Sequence, residues 1–250
     1  MCPMQNFIYK DSSYPIRQDL ADAYSQYWQQ LPRAGNWFTG AQRVAIAAEV
    51  RNALVCPFCE QRKQALSPYN QAGDHLSGDV LERGVVDMVH RVITDQSRIT
   101  DTFIHDHDAH GLSEEQYVEL VGVAVTVFSI DEFNRALGLP LEPLPEPQAG
   151  EPDHYRPPLA ERGTGYVAML GTGATSGKEA DLWAAGRSVN VLRALSLVPD
   201  AVRSWRGVSD AQYLPLKKMM DFGGETGRAI NRMQVELVAG RVSSINECFY

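Results

Sequence analysis

A Ser or Thr followed three residues later by Gln or Glu recurs along this chain, at Thr39 and Gln42, Ser113 and Gln116, Ser176 and Glu179, and Ser209 and Gln212. This is the capping-box pattern, in which the first side chain accepts from an orphan backbone N–H and the last reaches back. Between these starts the apolar residues keep helical spacing, as in Val118, Val121, Val125 and Phe128. Leu112 before Ser113 and Tyr117 after it add a hydrophobic staple. Helices are expected near 17–31, 40–65, 79–96, 114–137, 178–197, 198–206, 210–221 and 232–248. No stretch alternates as a strand, so the expected fold class is all-α.

Residues 138–165 break the helical pattern with seven prolines and several glycines. Proline removes a helix donor and biases its predecessor toward extended backbone, so a semi-rigid linker is expected there. It would divide the chain into a helical unit over 1–137 and a shorter one over 166–250. The run from Gln42 to Cys56 aligns without gaps on the run from Gln234 to Cys248, which suggests two related units.

A chain of 250 residues can bury a sizeable core, and 44% hydrophobic with 22% charged residues is an ordinary globular balance. The net charge of -8 argues against a broad nucleic-acid surface. No apolar run approaches the roughly 20 residues a membrane span needs. The N-terminal stretch lacks a basic region followed by an apolar one. Four cysteines, at 2, 56, 59 and 248, are too few and too uneven for a secreted disulfide framework. A cytoplasmic location is the expectation, and there a close cysteine pair is catalytic or metal-binding more often than a staple.

That pair is Cys56-Pro-Phe-Cys59. At i and i+3 late in an expected apolar helix, both sulfurs would share one face. Such a pair lets one thiolate attack an oxidised substrate while the other resolves the product as a disulfide. Arg62 and Lys63 follow one turn after Cys59, where positive charge favours thiolate, and Glu49 lies two turns before Cys56. The competing readings are a pair of small buried apolar residues and half of a zinc site. No second C-x-x-C and no His pair at finger spacing follows, so no metal or other cofactor is expected at the pair.

The run from Gln42 to Cys59 resembles the core of the AhpD-like alkylhydroperoxidases, a family grouped with the carboxymuconolactone decarboxylases. Its pattern is a Glu, eleven residues, C-x-x-C, three residues, then His. Gly111–Gly122 and Asn134–Gly138 resemble the helix after that core, and Asn190–Ser196 with Glu236–Cys248 resemble the first part of a peroxidase-related member. The resemblance implies an AhpD-like helical bundle forming homo-oligomers. It also implies a hydroperoxide substrate, an external dithiol reductant, a peroxidatic Cys59 and a resolving Cys56. The departures are specific: Val44 stands at the family's Glu position and Lys63 at its His position. A lysine holds a thiolate electrostatically but shuttles protons poorly at neutral pH. Glu236 and Cys248 keep the family spacing in the second copy, and the sequence stops at Tyr250 before a second Cys or His, so either it is cut short there or the second site does not form.

Other signals carry less. Gly171–Lys178 resembles a phosphate loop, yet Thr172 replaces its first glycine and Glu179 its Ser/Thr. His105, His107 and His110 cluster at an expected helix end and could converge only through an irregular turn. His90 sits in an apolar helix and reads as a hydrogen-bonded core histidine; His75 reads as a loop residue. The functional expectation is a thiol-dependent, peroxidase-like oxidoreductase. The alternatives are a carboxymuconolactone-decarboxylase-like enzyme acting on a small organic acid, or a non-enzymatic remnant or assembly module. The apolar stripe of Leu237, Val238, Val242, Ile245, Cys248 and Phe249 is expected to be covered by the first unit or by a neighbouring subunit.

Overall fold

The computed structural model describes residues 6–67, 71–106, 111–173, 176–183, 188–215, 218 and 221–245. The fold is all-α, with one small antiparallel ladder among the described residues. The helices are α1 (Gln18–Gln30), α2 (Gly40–Ala53), α3 (Pro57–Gln64), α4 (Arg83–Thr94), α5 (Asp101–His105), α6 (Glu114–Ala136), α7 (Asn190–Arg193), α8 (Pro199–Gln212) and α9 (Arg232–Ile245). Strands β1 (Ala160–Glu161) and β2 (Met169–Leu170) pair Ala160 with Leu170. This ladder is too short to show an alternating pattern in sequence.

Two capping boxes form as expected. Thr39 caps α2 with Gln42 reciprocating, and Ser113 caps α6 with Gln116. The other two do not form. Ser176 precedes only a single 3-10 turn without a side-chain cap. Ser209 lies inside α8, which begins instead at Val198-Pro199 and runs unbroken to Gln212. Proline at N1 loses no helical bond there, and that start outcompetes the hydroxyl. Among the described residues, the expected helix over 178–197 is seen as that 3-10 turn and α7.

The expected helix over 40–65 is split. Pro57 has no N–H to donate, and it holds Cys56 in extended backbone (φ -76°, ψ 115°) as the N-cap of α3. Cys56 is therefore not within a helix as expected, but at the joint between two.

Helix α2 packs on α4 and α6, α6 also packs on α4 and α8, and α1 packs on α8. The main core holds Tyr24, Trp28, Ile46, Val50, Met88, Val89, Val123, Val127 and Val208. A second core, containing Val167, Leu170, Leu182, Trp183, Leu197 and Val202, closes on Val118 of α6. Both cores therefore use α6.

Residues 138–159, part of the semi-rigid linker expected over 138–165, run as a strap along the first unit. Gln148 N–H donates to Pro32 O at 2.9 Å, His154 N–H to Asn36 O at 2.8 Å, and the Trp28 indole to Pro143 O at 2.8 Å. Helix α9 buries Val235, whereas Leu237 (74% exposed), Val238, Val242 and Ile245 face outward. No helix among the described residues is long and apolar enough to cross a membrane.

Candidate dithiol and histidine centre

Cys56 and Cys59 occupy the N-cap and third position of α3, both buried and unlinked, beside Phe58 in a small cluster of their own. The N-terminus of a helix favours a thiolate because its unpaired N–H groups point outward. The segment after α3 then folds back over the pair. Gly73 passes Phe58 so closely that a Cβ would lie 2.4 Å from the ring, which only glycine permits. Leu76 N–H reaches Cys56 Sγ at 3.4 Å, and Gly78 N–H donates to Glu49 Oε1 at 2.8 Å.

The fold-back brings in His75, and α4 supplies His90. His75 Nδ1 lies 3.6 Å from Cys56 Sγ and 3.5 Å from Cys59 Sγ. His90 Nδ1 lies 3.1 Å from Cys59 Sγ. The outer nitrogen of each ring meets a carboxylate: His75 Nε2 donates to Asp87 Oδ1 at 2.9 Å, and His90 Nε2 to Glu49 Oε2 at 3.0 Å. A carboxylate only accepts, so both Nε2 atoms carry hydrogen and both Nδ1 atoms face sulfur. Asp87 is steadied by Arg62 at 2.6 Å and Arg91 at 2.7 Å.

These contacts set the protonation states. Burial raises the Cys56 thiol, but the N–H groups of Leu76 and Cys59 and the His75 ring outweigh it and bring it down to about 7. Burial lowers His75, but its bonds to Asp87, Cys59 and Cys56 outweigh that and lift it to about 9. Burial opposes ionisation of Asp87 too, yet His75, Arg91 and Arg62 hold it far below the usual carboxylate range. His90 is lowered, first by burial and then by the charges of His75 and Arg62, against the pull of Glu49. Near neutral pH the centre thus sets a readily ionised Cys56 against a His75 imidazolium, and a His90 biased toward its neutral form whose Nδ1 faces Cys59 Sγ. Arranged this way, the residues can attack, donate a proton and accept another without any group moving far.

Of the residues expected at the site, Cys56, Cys59 and Glu49 are here, although Glu49 reaches the sulfurs through His90 rather than directly. Lys63 is exposed on the outer side of α3, and the cationic partner of the sulfurs is His75. Glu236 lies on α9, bonded to the Tyr213 hydroxyl and to Arg232. Cys248, like His107 and His110, falls outside the described residues; His105 donates from Nε2 to Tyr166 O at 2.7 Å.

His75, read as a loop residue, His90, read as a core histidine, and Asp87 join the site without having been expected there. Both histidines follow Cys59, by 16 and 31 residues, a separation no short motif captures. His90 is the buried, bonded histidine its apolar helix suggested, but one of the two groups it bonds is a cysteine. The cleft of about 890 Å³ between α1, α8 and α9, lined by Arg17, Trp205, Arg228 and Val238, shares no residue with this centre. No protein-family model, curated protein or solved structure matches the chain.

Proposed function

We propose that the chain is a dithiol oxidoreductase that reduces hydroperoxides, in line with its resemblance to the AhpD-like family. The observation that carries this reading is the chain of contacts Cys59–His90–Glu49 set beside Cys56, an acid–base relay ending on a resolving thiol.

The Cys56 thiolate attacks the outer peroxide oxygen. An S–O bond forms, the O–O bond breaks, and the alkoxide leaves as an alcohol with the proton of His75. Cys59 then passes its proton to His90 Nδ1, while Glu49 steadies the resulting imidazolium through Nε2. The Cys59 sulfur attacks the sulfenic acid, forming the disulfide, and hydroxide departs as water with the His90 proton. An external dithiol reduces the disulfide by exchange. The N–H groups of Leu76 and Cys59 that reach Cys56 favour it as the attacking sulfur, which reverses the roles implied by the resemblance.

The test is peroxide consumption by metal-free protein supplied with a small dithiol. Cys56→Ser and Cys59→Ser should each abolish turnover, and only Cys59→Ser should leave a trappable sulfenic acid on the remaining cysteine. Wild-type protein that consumes no peroxide would sink the reading.

A further inference from the structure

Among the described residues, Cys56, Cys59, His75 and His90 each offer one donor atom, and these four atoms lie within 4.8 Å of one another. A four-coordinate zinc ion with Zn–S near 2.3 Å and Zn–N near 2.0–2.1 Å spaces a sulfur from a nitrogen by roughly 3.5 Å at tetrahedral angles. The two sulfurs lie 3.6 and 3.5 Å from His75 Nδ1, which is that spacing. The Cys59–His90 separation of 3.1 Å is a hydrogen-bond distance and widens to the same value with a small rotation of either side chain.

What lies behind the donors matters as much. Metal-binding histidines present one nitrogen to the ion and donate the other N–H to a carboxylate, which fixes the ring and its tautomer. His75 does this through Asp87 and His90 through Glu49. Those carboxylates are held in turn, Asp87 by Arg62 and Arg91, and Glu49 by the N–H of Gly78 and the Asn52 amide. The Leu76 N–H on Cys56 Sγ is a further support, since a ligand thiolate keeps lone pairs free for backbone donors.

We propose that Cys56, Cys59, His75 and His90 form a closed tetrahedral site for a zinc-class divalent cation. Two sulfurs and two imidazole nitrogens favour such ions over magnesium or calcium, which take oxygen. Two thiolates neutralise the charge of the ion in a buried setting. With four protein ligands no open position remains, so the ion ties α3, the fold-back segment and α4 together rather than activating water.

This inference uses the same residues as the proposed peroxidase but does not rest on its chemistry. A sulfur bound to the ion attacks more slowly than a free thiolate, so the ion-bound form is the resting form of the dithiol. Oxidation releases the ion: both Zn–S bonds break, one S–S bond forms, and the hydroperoxide takes two electrons from the sulfurs and two protons from solvent to give alcohol and water.

The experiment is a Co²⁺ titration of the reduced, chelator-stripped full chain under anaerobic conditions. It should yield one equivalent bound per chain, the intense visible bands of tetrahedral cobalt, and a thiolate-to-cobalt charge-transfer band; Zn²⁺ should bleach all of them. His90→Ala and Cys59→Ser should lose the tetrahedral spectrum. Asp87→Asn should keep the spectrum and weaken binding about 10–100-fold. A weak, octahedral spectrum without charge transfer in the wild-type chain overturns the site, and needs no variant to fold. Peroxide turnover without cobalt binding removes the metal site and leaves the peroxidase; cobalt binding without turnover does the reverse. Addition of hydroperoxide to the zinc form should release one equivalent to a chromophoric indicator.

Discussion

In the metal-free, reduced chain, the proton an ordinary cysteine keeps at neutral pH resides on His75. Cys56 sits near 7 instead of 9.0, and His75 near 9 instead of 6.5. Taken alone, the lowered thiol adds stability above its unfolded value that is lost as pH falls through about 7. The raised imidazole adds stability below its unfolded value that is lost as pH rises through about 9. The two are one ion pair, however. Between about 7 and 9 the folded pair holds one proton, on His75, and the unfolded pair also holds one, on the cysteine. Stability should therefore be flat with pH across that window as far as this pair is concerned, while thiolate reactivity is not. Iodoacetamide labelling of Cys56 in a Cys59→Ser background, with chelator present, should reach half its maximal rate near pH 7. His75→Gln should move that midpoint up by a unit or more, and Lys63→Ala should leave it in place. A profile that follows Lys63 instead would put the activating charge on α3. Glu49→Gln keeps the side-chain shape but leaves the His90 imidazolium without a counter-charge. Peroxide turnover should fall about 10²-fold or more, with sulfenic acid on Cys56 accumulating to a level a dimedone probe detects. Unchanged turnover would take Glu49 out of the relay.

At the scale of single elements, α6 and the start of α2 were legible because capping and apolar spacing agreed, and α1 was legible without a side-chain cap. The break at residues 54–56 was hidden by its apolar surroundings: Leu54 and Val55 continue a helix-like run, and only Pro57 marks the stop. The centre itself was half legible. The C-x-x-C pair lies within one turn of chain, whereas His75 arrives through a loop whose path depends on Gly73 clearing Phe58 and on backbone donors to Cys56 and Glu49. No local pattern encodes such a path. The crossing of α6 and α8 was equally invisible. There Gly122 faces Ala201, and a Cβ on the glycine would lie 2.8 Å from the alanine Cβ. Mid-helix glycine costs about 0.5–1 kcal/mol relative to alanine, yet the close approach outweighs that gain. Gly122→Ala should destabilise the chain by about 1–3 kcal/mol through overpacking. In an Ala201→Gly background the same change should become stabilising. Equal effects in both backgrounds, by denaturant titration, would show that the crossing is looser than this.

Across the whole molecule, the proline-rich segment suggested two units joined by a spacer, but α8 comes from beyond that segment and packs on α1 and α6, which lie before it. Val208 and Ala211 of α8 sit in the same core as Tyr24 and Val127. The two halves should accordingly unfold in one cooperative transition. Far-UV circular dichroism and tryptophan fluorescence melts should superimpose, and two separated transitions would restore the picture of independent units.

The strap over residues 138–159 has a consequence for the order in which the chain is made. While residues 1–137 are already synthesised, the Trp28 indole N–H, the Pro32 carbonyl and the Asn36 carbonyl still lack their partners at Pro143, Gln148 and His154. The Asn36 amide also waits for Asp153. A nascent chain halted at 137 therefore leaves polar groups of its interior open to water. Vectorial folding on the ribosome can complete the first bundle only after residue 154 has emerged, and its last helix-to-helix seam only after α8.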